Sequence, residues 1–340
     1  MVETKAREGD FVETADGLFF DVKGLVHPPD RIVCYLRYYP DPRGTRSRAD
    51  IRYAKTYELS ERQRILETRW PQYVYYDKAQ GRDLQGVPVA DVTQLHRPTQ
   101  RLLGLVHSRH KDSLETNAVE LVSVLSKKSQ LPFASFGISG SLLVRLHRLD
   151  SDIDVIVYGL EAAKKVQKAL VALIEENEYF HCYQKRGLRR LYMRRGLQSA
   201  IAFNDFVARE KRKVFQGKFL QDEYFIRCVR DWHEITEQYG ETTYKTIGRC
   251  SILGRIVDDE ESLMTPCRYV LEHVRVLSGV SSRRPRELIS FRGRFAEQAR
   301  TGEQVVGRGR LEKCLSHSSE YFRLMVGEDR RDIIRSIGLR

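Results

Sequence analysis

Residues 137–157, GISGSLLVRLHRLDSDIDVIV, place two aspartates one residue apart at the start of an apolar, β-branched run. Side chains of a strand alternate between its faces, so Asp152 and Asp154, separated by Ile153, project from the same side. Two like charges held that close require a neutralising partner. Upstream, Gly140 and Ser141 fall at a strand-to-helix turn. Such a turn presents backbone N–H groups and the positive end of a helix dipole, and glycine lets a phosphate approach without a Cβ in the way. The Ser141 hydroxyl adds a donor to this cradle. Two carboxylates on one strand face are suitable oxygen ligands for Mg²⁺ or Mn²⁺, which take a few carboxylates plus substrate phosphate oxygens. Together the two features describe a metal–nucleotide site.

A third carboxylate on a neighbouring strand completes a two-metal arrangement, in which one ion binds the triphosphate and the other activates an attacking hydroxyl. The segment SAIAFNDFV reads as that strand, and Asp205 within it is the candidate. A carboxylate in so apolar a setting needs a cation, a hydrogen-bonding partner or a proton. Glu175, Glu176 and Glu178 are acidic alternatives close by, and Asp150 reads as a turn residue beside Ser151.

The segment from Gly137 to Gly159 resembles the signature of the DNA polymerase β-like nucleotidyltransferase superfamily: a glycine-serine pair followed by an acidic-hydrophobic-acidic strand. The resemblance covers roughly residues 101–210. It implies that Gly140 and Ser141 bind the triphosphate of an NTP, that Asp152 and Asp154 bind metal, and that a later carboxylate, matched here by Asp205, coordinates the second metal. It extends to little-characterised members of the superfamily, so it brings a reaction class without a substrate.

Periodicity divides the chain into three parts and gives an α+β expectation. Residues 1–100 read as β-rich: DFVETADGLFFDV is two strands joined at Asp16-Gly17, a turn pair that tolerates positive φ, and RIVCYLRYY is a further strand. Ser60 and Gln63 have the spacing of a capping box for a short helix closed by Pro71. Residues 101–240 alternate helix and strand and form the expected nucleotidyltransferase domain with a mixed sheet. A helix carries Leu114, Ala118, Leu121, Val122 and Leu125, FASFGI is a strand, a helix opened by Gly140 carries Leu142, Leu143, Leu146 and Leu149, and another helix spans about 161–176. Residues 241–340 return to β, with five candidate strands suited to a small barrel or sandwich.

Hydrophobic residues make up 41% and charged residues 31% of the 340 residues, an ordinary globular balance. No apolar run approaches the length of a membrane span, and the N-terminus lacks the apolar core of a signal peptide, so a cytoplasmic location without membrane contact is expected. The six cysteines are scattered without a C-x-x-C pair, which argues against a zinc ribbon or a disulfide scaffold. A formal charge of +12 makes nucleic acid, RNA in particular, the first partner to test. The stretch YQKRGLRRLYMRRG supplies Lys185, Arg186, Arg189, Arg190, Arg194 and Arg195 with Tyr183 and Tyr192. Two readings stand: cations for triphosphate or acceptor backbone with base-stacking tyrosines, or a solvated hairpin. REKRKVFQGK raises the same pair. In SFRGRF and VVGRGRL, arginines alternate with glycines and aromatics, leaving one strand face basic: either that face binds single-stranded nucleic acid by stacking and phosphate contacts, or Phe291 and Phe295 pack the core while the arginines solvate the outside. His107 and His110 read as surface or capping residues.

These features lead to the expectation of a Mg²⁺-dependent transfer of a nucleoside monophosphate from an NTP to a hydroxyl, with RNA the favoured acceptor and pyrophosphate released. The alternatives are the same chemistry on a protein side chain or small molecule, and a non-catalytic nucleic-acid-binding protein with this fold.

Overall fold

The computed structural model describes residues 5–195, 201–280 and 282–338. The chain divides into two compact units, residues 1–78, 82–180 and 218–239 in the first and residues 79–81, 181–217 and 240–340 in the second. Both helices and strands are abundant, and the class is α+β. Among the described residues no helix is long and apolar enough to cross a membrane. The six cysteines are free thiols, all but Cys182 buried.

The first unit begins with strands β1 (Phe11–Thr14), β2 (Phe19–Val22), β3 (Arg31–Pro40), β4 (Arg46–Arg48) and β5 (Ile51–Lys55), helix α1 (Leu59–Arg69), and strands β6 (Val74–Asp77), β7 (Arg82–Pro88) and β8 (Val92–His96). They form one sheet in the order β4-β5-β3-β2-β1-β8, with β7 joining β3 and β6 joining β7. The turn between β1 and β2 forms at Asp16-Gly17 because Gly17 adopts φ +72°, which lets its N–H donate to the Thr14 carbonyl at 2.9 Å. On β3 the alternation is strict: Ile32, Cys34, Leu36 and Tyr38 are buried, while Arg37 lies on the opposite face. Helix α1 buries Ile65 and Leu66 in the core of this sheet. Its N-cap is Glu58, whose side chain makes no capping bond to the helix, so the expected Ser60–Gln63 box does not form; Gln63 instead bonds Glu67 one turn on.

Helices α2 (Pro98–His107) and α3 (Ser113–Ser129), strand β9 (Phe136–Ile138), the single turn α4 (Gly140–Leu143), strand β10 (Ile153–Tyr158), helix α5 (Leu160–Glu176) and strands β11 (Phe180–His181), β12 (Gln216–Phe219) and β13 (Asp222–Val229) follow. The second sheet has the order β11-β12-β13-β10-β9, with β10 antiparallel to β9 and parallel to β13. It is therefore mixed, and α3 and α5 pack against β10. The helix expected after Gly140 is cut to one turn. Arg145 turns back at φ +56°, and Leu149, assigned to its apolar face, is 71% exposed. Leu143, Val144 and Leu146 nevertheless enter a core cluster with Phe11, Phe19, Tyr38 and Tyr53. That shared core puts the N-terminal sheet and the carboxylate-bearing segment in one unit, although sequence periodicity separates them at residue 100.

The second unit holds helices α6 (Lys185–Arg195) and α7 (Phe203–Glu210) and strands β14 (Thr242–Asp258), β15 (Cys267–Gly279), β16 (Glu287–Ser290), β17 (Gln304–Ser316), β18 (Glu320–Met325) and β19 (Ile333–Ser336). Pairing runs β14-β15-β16-β18-β17 and back to β14, so five strands close into a ring, with β19 added beside β17. Gly307 faces the interior, where a Cβ would lie 2.8 Å from Leu288 Cδ2 and 3.2 Å from Leu324 Cδ2; Arg308 and Arg310 alternate outward. The strand expected over SFRGRF stops at Ser290. Residues 293–295 form a 3₁₀ turn that buries Phe295, whose carbonyl accepts from the Tyr269 hydroxyl at 2.6 Å.

His27 carries a pH consequence for the first unit. Its Nδ1 accepts from the Val33 N–H at 3.2 Å, so Nε2 holds the proton and donates to the Ala6 carbonyl at 3.0 Å. Burial lowers its pKa to about 4. A depressed histidine pKa means that the unfolded chain takes up the proton first, so its contribution to stability is complete above about pH 6.5 and lost as pH falls toward 4. Thermal unfolding across that window is expected to show Tm falling with acid in the wild type. His27→Asn is expected to be less stable at pH 7 but to fall less steeply, and equal slopes would remove His27 as the cause.

Candidate metal–nucleotide site

The local chain path brings the two halves of the motif into contact. Gly140 adopts φ +61°, a conformation that costs glycine little. A Cβ at this position would overlap Asp154 Oδ2 and lie 2.7 Å from Asp154 Cγ. The approach is fixed by the Ser139 N–H, which donates to the Asp154 carbonyl at 2.8 Å, and by the Ser139 hydroxyl, which donates to the Gly9 carbonyl at 2.6 Å. The Ser141 side chain is buried, and its hydroxyl has no hydrogen-bond partner among the described residues. Asp152 is exposed just ahead of β10, and Asp154 is half-buried within it.

Electrostatics around the pair explain how the like charges are tolerated. Burial and then the neighbouring charge of Asp152 raise the Asp154 pKa to about 7, against the opposing pull of Arg227, Lys55 and Arg37. Lys55, at the end of β5, is pushed down to about 8 by burial and by Arg37, with Asp152 and Asp154 acting in the other direction. Arg46 on β4 reaches the loop before Asp152, donating to the Leu146 carbonyl and lying 3.4 Å from Ser151 Oγ. Arg227 on β13 bonds Glu8 at 2.8 Å, and Lys23 bridges Glu8 at 2.7 Å and Asp21 at 3.0 Å. Burial opposes ionisation of Asp21, but Lys23, Arg227 and Arg37 hold its pKa down to about 2. Tyr57, 60% exposed, lies under both Arg37 and Lys55 with ring distances of 5.1 and 5.0 Å.

The remaining site expectations are placed differently. Asp205 is not on a strand. It lies in the first turn of α7, in the second unit, with its carboxylate 3.6 Å from Arg335 and its carbonyl accepting from Arg209. Residues 199 and 200 of the expected strand fall outside the described residues. The strand beside β10 is β13, in the register Asp154↔Phe225 and Ile156↔Arg227. By alternation, Glu223, Phe225 and Arg227 share the face of Asp154, so Glu223 is the carboxylate that this strand offers. The signal for it lay in the alternation of DEYFIRCV.

Lys185, Arg186, Arg189, Arg190 and Arg194 lie on the exposed face of α6, whose other face buries Leu188 and Leu191. The segment is an amphipathic helix instead of a hairpin. Tyr192 is half-buried, meets Phe203 and Phe206 edge to face, and donates to the Ile201 carbonyl at 2.7 Å. In REKRKVFQGK, Lys213 pairs with Glu210 at 2.8 Å and Arg212 with Glu303 at 2.7 Å, which gives these cations structural partners. His107 bonds the Leu103 carbonyl at 2.9 Å, one turn back in its own helix. Asp112, Glu115 and His147 gather ligand atoms within 4.8 Å. The two carboxylates already form the capping box of α3, Glu115 pairs with Arg101, and His147 bonds Asp112 at 2.7 Å.

The chain is 31% identical over 335 residues to an uncharacterized protein of Methanocaldococcus jannaschii, with 96% of each chain covered. It belongs to the same family as that archaeal protein. No family model matches the chain, and no solved structure matches it.

A pKa of about 7 in the folded state against 3.8 unfolded means that Asp154 stabilises the fold when protonated, and that this contribution is lost as pH rises from about 4 through 7. Asp154→Asn removes the buried charge and the repulsion from Asp152. Its Tm at pH 8 is expected to exceed that of the wild type by several degrees, and a drop in Tm would show the carboxylate to be a structural anchor.

Proposed function

We propose that the chain is a divalent-metal-dependent nucleotidyltransferase that moves a nucleoside monophosphate from an NTP to a hydroxyl acceptor, with RNA as the acceptor. The observation that carries this reading is the contact of Gly140 with the Asp154 carboxylate, which joins a glycine-serine turn to a carboxylate pair. The buried Ser141 hydroxyl without a partner is a donor suited to a phosphate oxygen. An all-oxygen ligand set of Asp152 and Asp154, with Glu223 on the next strand, fits Mg²⁺ or Mn²⁺. When bound, such a metal offsets polyphosphate charge and makes a hydroxyl easier to deprotonate.

The protein's own groups then have distinct tasks. Gly140 leaves the space in which a phosphate meets the carboxylates, and Ser141 orients it. Lys55 and Arg37 face the negative charge that grows on the leaving pyrophosphate as the acceptor oxygen bonds to the α-phosphorus and the bridging P–O bond breaks. Tyr57, exposed beside both cations, provides a ring on which a base can stack. A net charge of +12 supports a polyanionic acceptor.

Incorporation of each α-labelled NTP into total RNA, with Mg²⁺ or Mn²⁺, tests the reading. Label on RNA is expected from the wild type, reduced at least about a hundredfold in Asp152→Asn/Asp154→Asn. Gly140→Ala, which forces a Cβ against Asp154, is expected to lose a similar factor. Lys55→Met is expected to raise KM for NTP about tenfold with a smaller change in kcat. Label on protein would change the acceptor, and absence of label on any acceptor would overturn the proposal.

A further inference from the structure

We infer that the strand ring of the second unit binds single-stranded nucleic acid through the β15–β16 hairpin. The inference does not rest on the nucleotidyl-transfer reading, because none of its residues belongs to the carboxylate site and binding needs neither metal nor NTP.

Topology is the first support. Numbered from β14, the ring has strands one, two, three, five and four in order, closing on strand one, with β16 and β18 parallel and the other ring pairs antiparallel. This is a five-stranded Greek-key barrel of the OB type, whose strand two–three face is a general platform for oligonucleotides. Here strands two and three are β15 and β16, the arms of the hairpin.

Charge segregation is the second. Arg275, Arg283, Arg284 and Arg286 are all exposed, and among the described residues none has a carboxylate within ion-pair distance. Other cations of the ring do have carboxylate partners: Arg268 on β15 pairs with Glu261, Arg255 with Glu272, Lys313 with Glu320 and the buried Arg323 with Glu312. The hairpin therefore keeps four exposed positive charges without carboxylate partners between residues 275 and 286, a concentrated positive field.

The third support is the planar geometry beneath those charges. The Arg286 guanidinium stands 4.9 Å over the Tyr321 ring, and Arg283 stands 5.7 Å over Phe322. Hairpin and rings are held together by backbone bonds of 2.8 Å from the Arg286 N–H to the Phe322 carbonyl and from the Leu271 N–H to the Arg286 carbonyl. Guanidinium groups held over aromatic rings can bind phosphates and offer a flat cationic surface to a base, which suits an unpaired strand better than an acidic peptide.

The test uses full-length protein with chelator and without NTP. Fluorescence anisotropy is read with a labelled 15-nucleotide RNA of mixed sequence, the matching DNA strand, the RNA duplex and inorganic polyphosphate. The variant Arg275→Ala/Arg283→Ala/Arg284→Ala/Arg286→Ala is compared with a second that removes the same charge from α6, Lys185→Ala/Arg186→Ala/Arg189→Ala/Arg190→Ala. Both sets are exposed side chains, and equal Tm values check folding. The inference expects either single strand to bind more tightly than duplex or polyphosphate, and the hairpin variant to lose about ten- to a hundredfold in affinity at 0.1 M salt. The α6 variant should lose clearly less. Equal losses in the two variants, a larger loss in α6, polyphosphate binding as tight as RNA, or no binding by the wild type would each overturn it. Preference between RNA and DNA strands identifies the source of the ligand.

Discussion

Two carboxylates one residue apart on a strand repel each other, and the organisation of the first unit follows from how that repulsion is contained. Asp154 has little room to move away from Asp152, because β10 holds its backbone and Gly140 closes over its carboxylate. Compensation comes from strands distant in sequence: Arg37 on β3, Lys55 on β5 and Arg227 on β13 converge on the pair. It does not offset burial and the charge of Asp152 together, which raise the Asp154 pKa to about 7. A buried carboxylate in this state gains from the arrival of a cation, which is the electrostatic property that the proposed metal position calls for.

The cations are themselves restrained, which keeps the site from collapsing on itself. Arg227 is tied to Glu8, whose side chain is fully buried, and Lys23 spans Glu8 and Asp21. Asp21 and Glu8 thus compete with Asp154 for the same guanidinium. Arg227 cannot swing fully onto the pair, and the pair keeps ligand capacity for an incoming ion. Burial opposes the Arg227 charge, but Glu8, Asp21 and Asp154 together raise its pKa, so it remains a fixed cation at any working pH. The N-terminal sheet is in this sense part of the site.

The residues that were legible in sequence are those whose information is local. Asp16-Gly17 specifies its turn through positive φ, and the run from Ile153 specifies strand β10, with Ile153 buried and Asp154 on the half-buried face. What could not be read depends on register between distant strands. Nothing near Lys55 or Arg37 announces that β3 and β5 carry them over β10, and Glu223 becomes a neighbour of the pair only through the β10–β13 pairing. The error at Asp205 has a different origin. The run AFNDFV is short and apolar, a pattern that strand and helix share, and contacts of Phe203 and Phe206 with Tyr192 on α6 decide for helix. At SFRGRF the alternation misled because Phe295 is buried from a 3₁₀ turn after β16 has ended.

The arginines of the second unit show why composition alone is a poor guide to a binding face. Several have a carboxylate partner supplied by the fold: Arg323 with Glu312 inside the ring wall, Arg249 with Asp332, Arg212 with Glu303. Each such pair cancels its field at a distance, so these residues add to the pI without creating a surface that attracts an anion. The basic helix α6 looked from sequence like the stronger candidate because its charges are consecutive. Yet Tyr192 on that helix already makes edge contacts with Phe203 and Phe206 and a hydrogen bond through its hydroxyl, while the β15–β16 hairpin holds guanidinium groups without carboxylates over aromatic rings. What separates a binding surface from a merely charged one is the combination of uncancelled field with fixed planar groups, and that combination is set by strand pairing in the barrel.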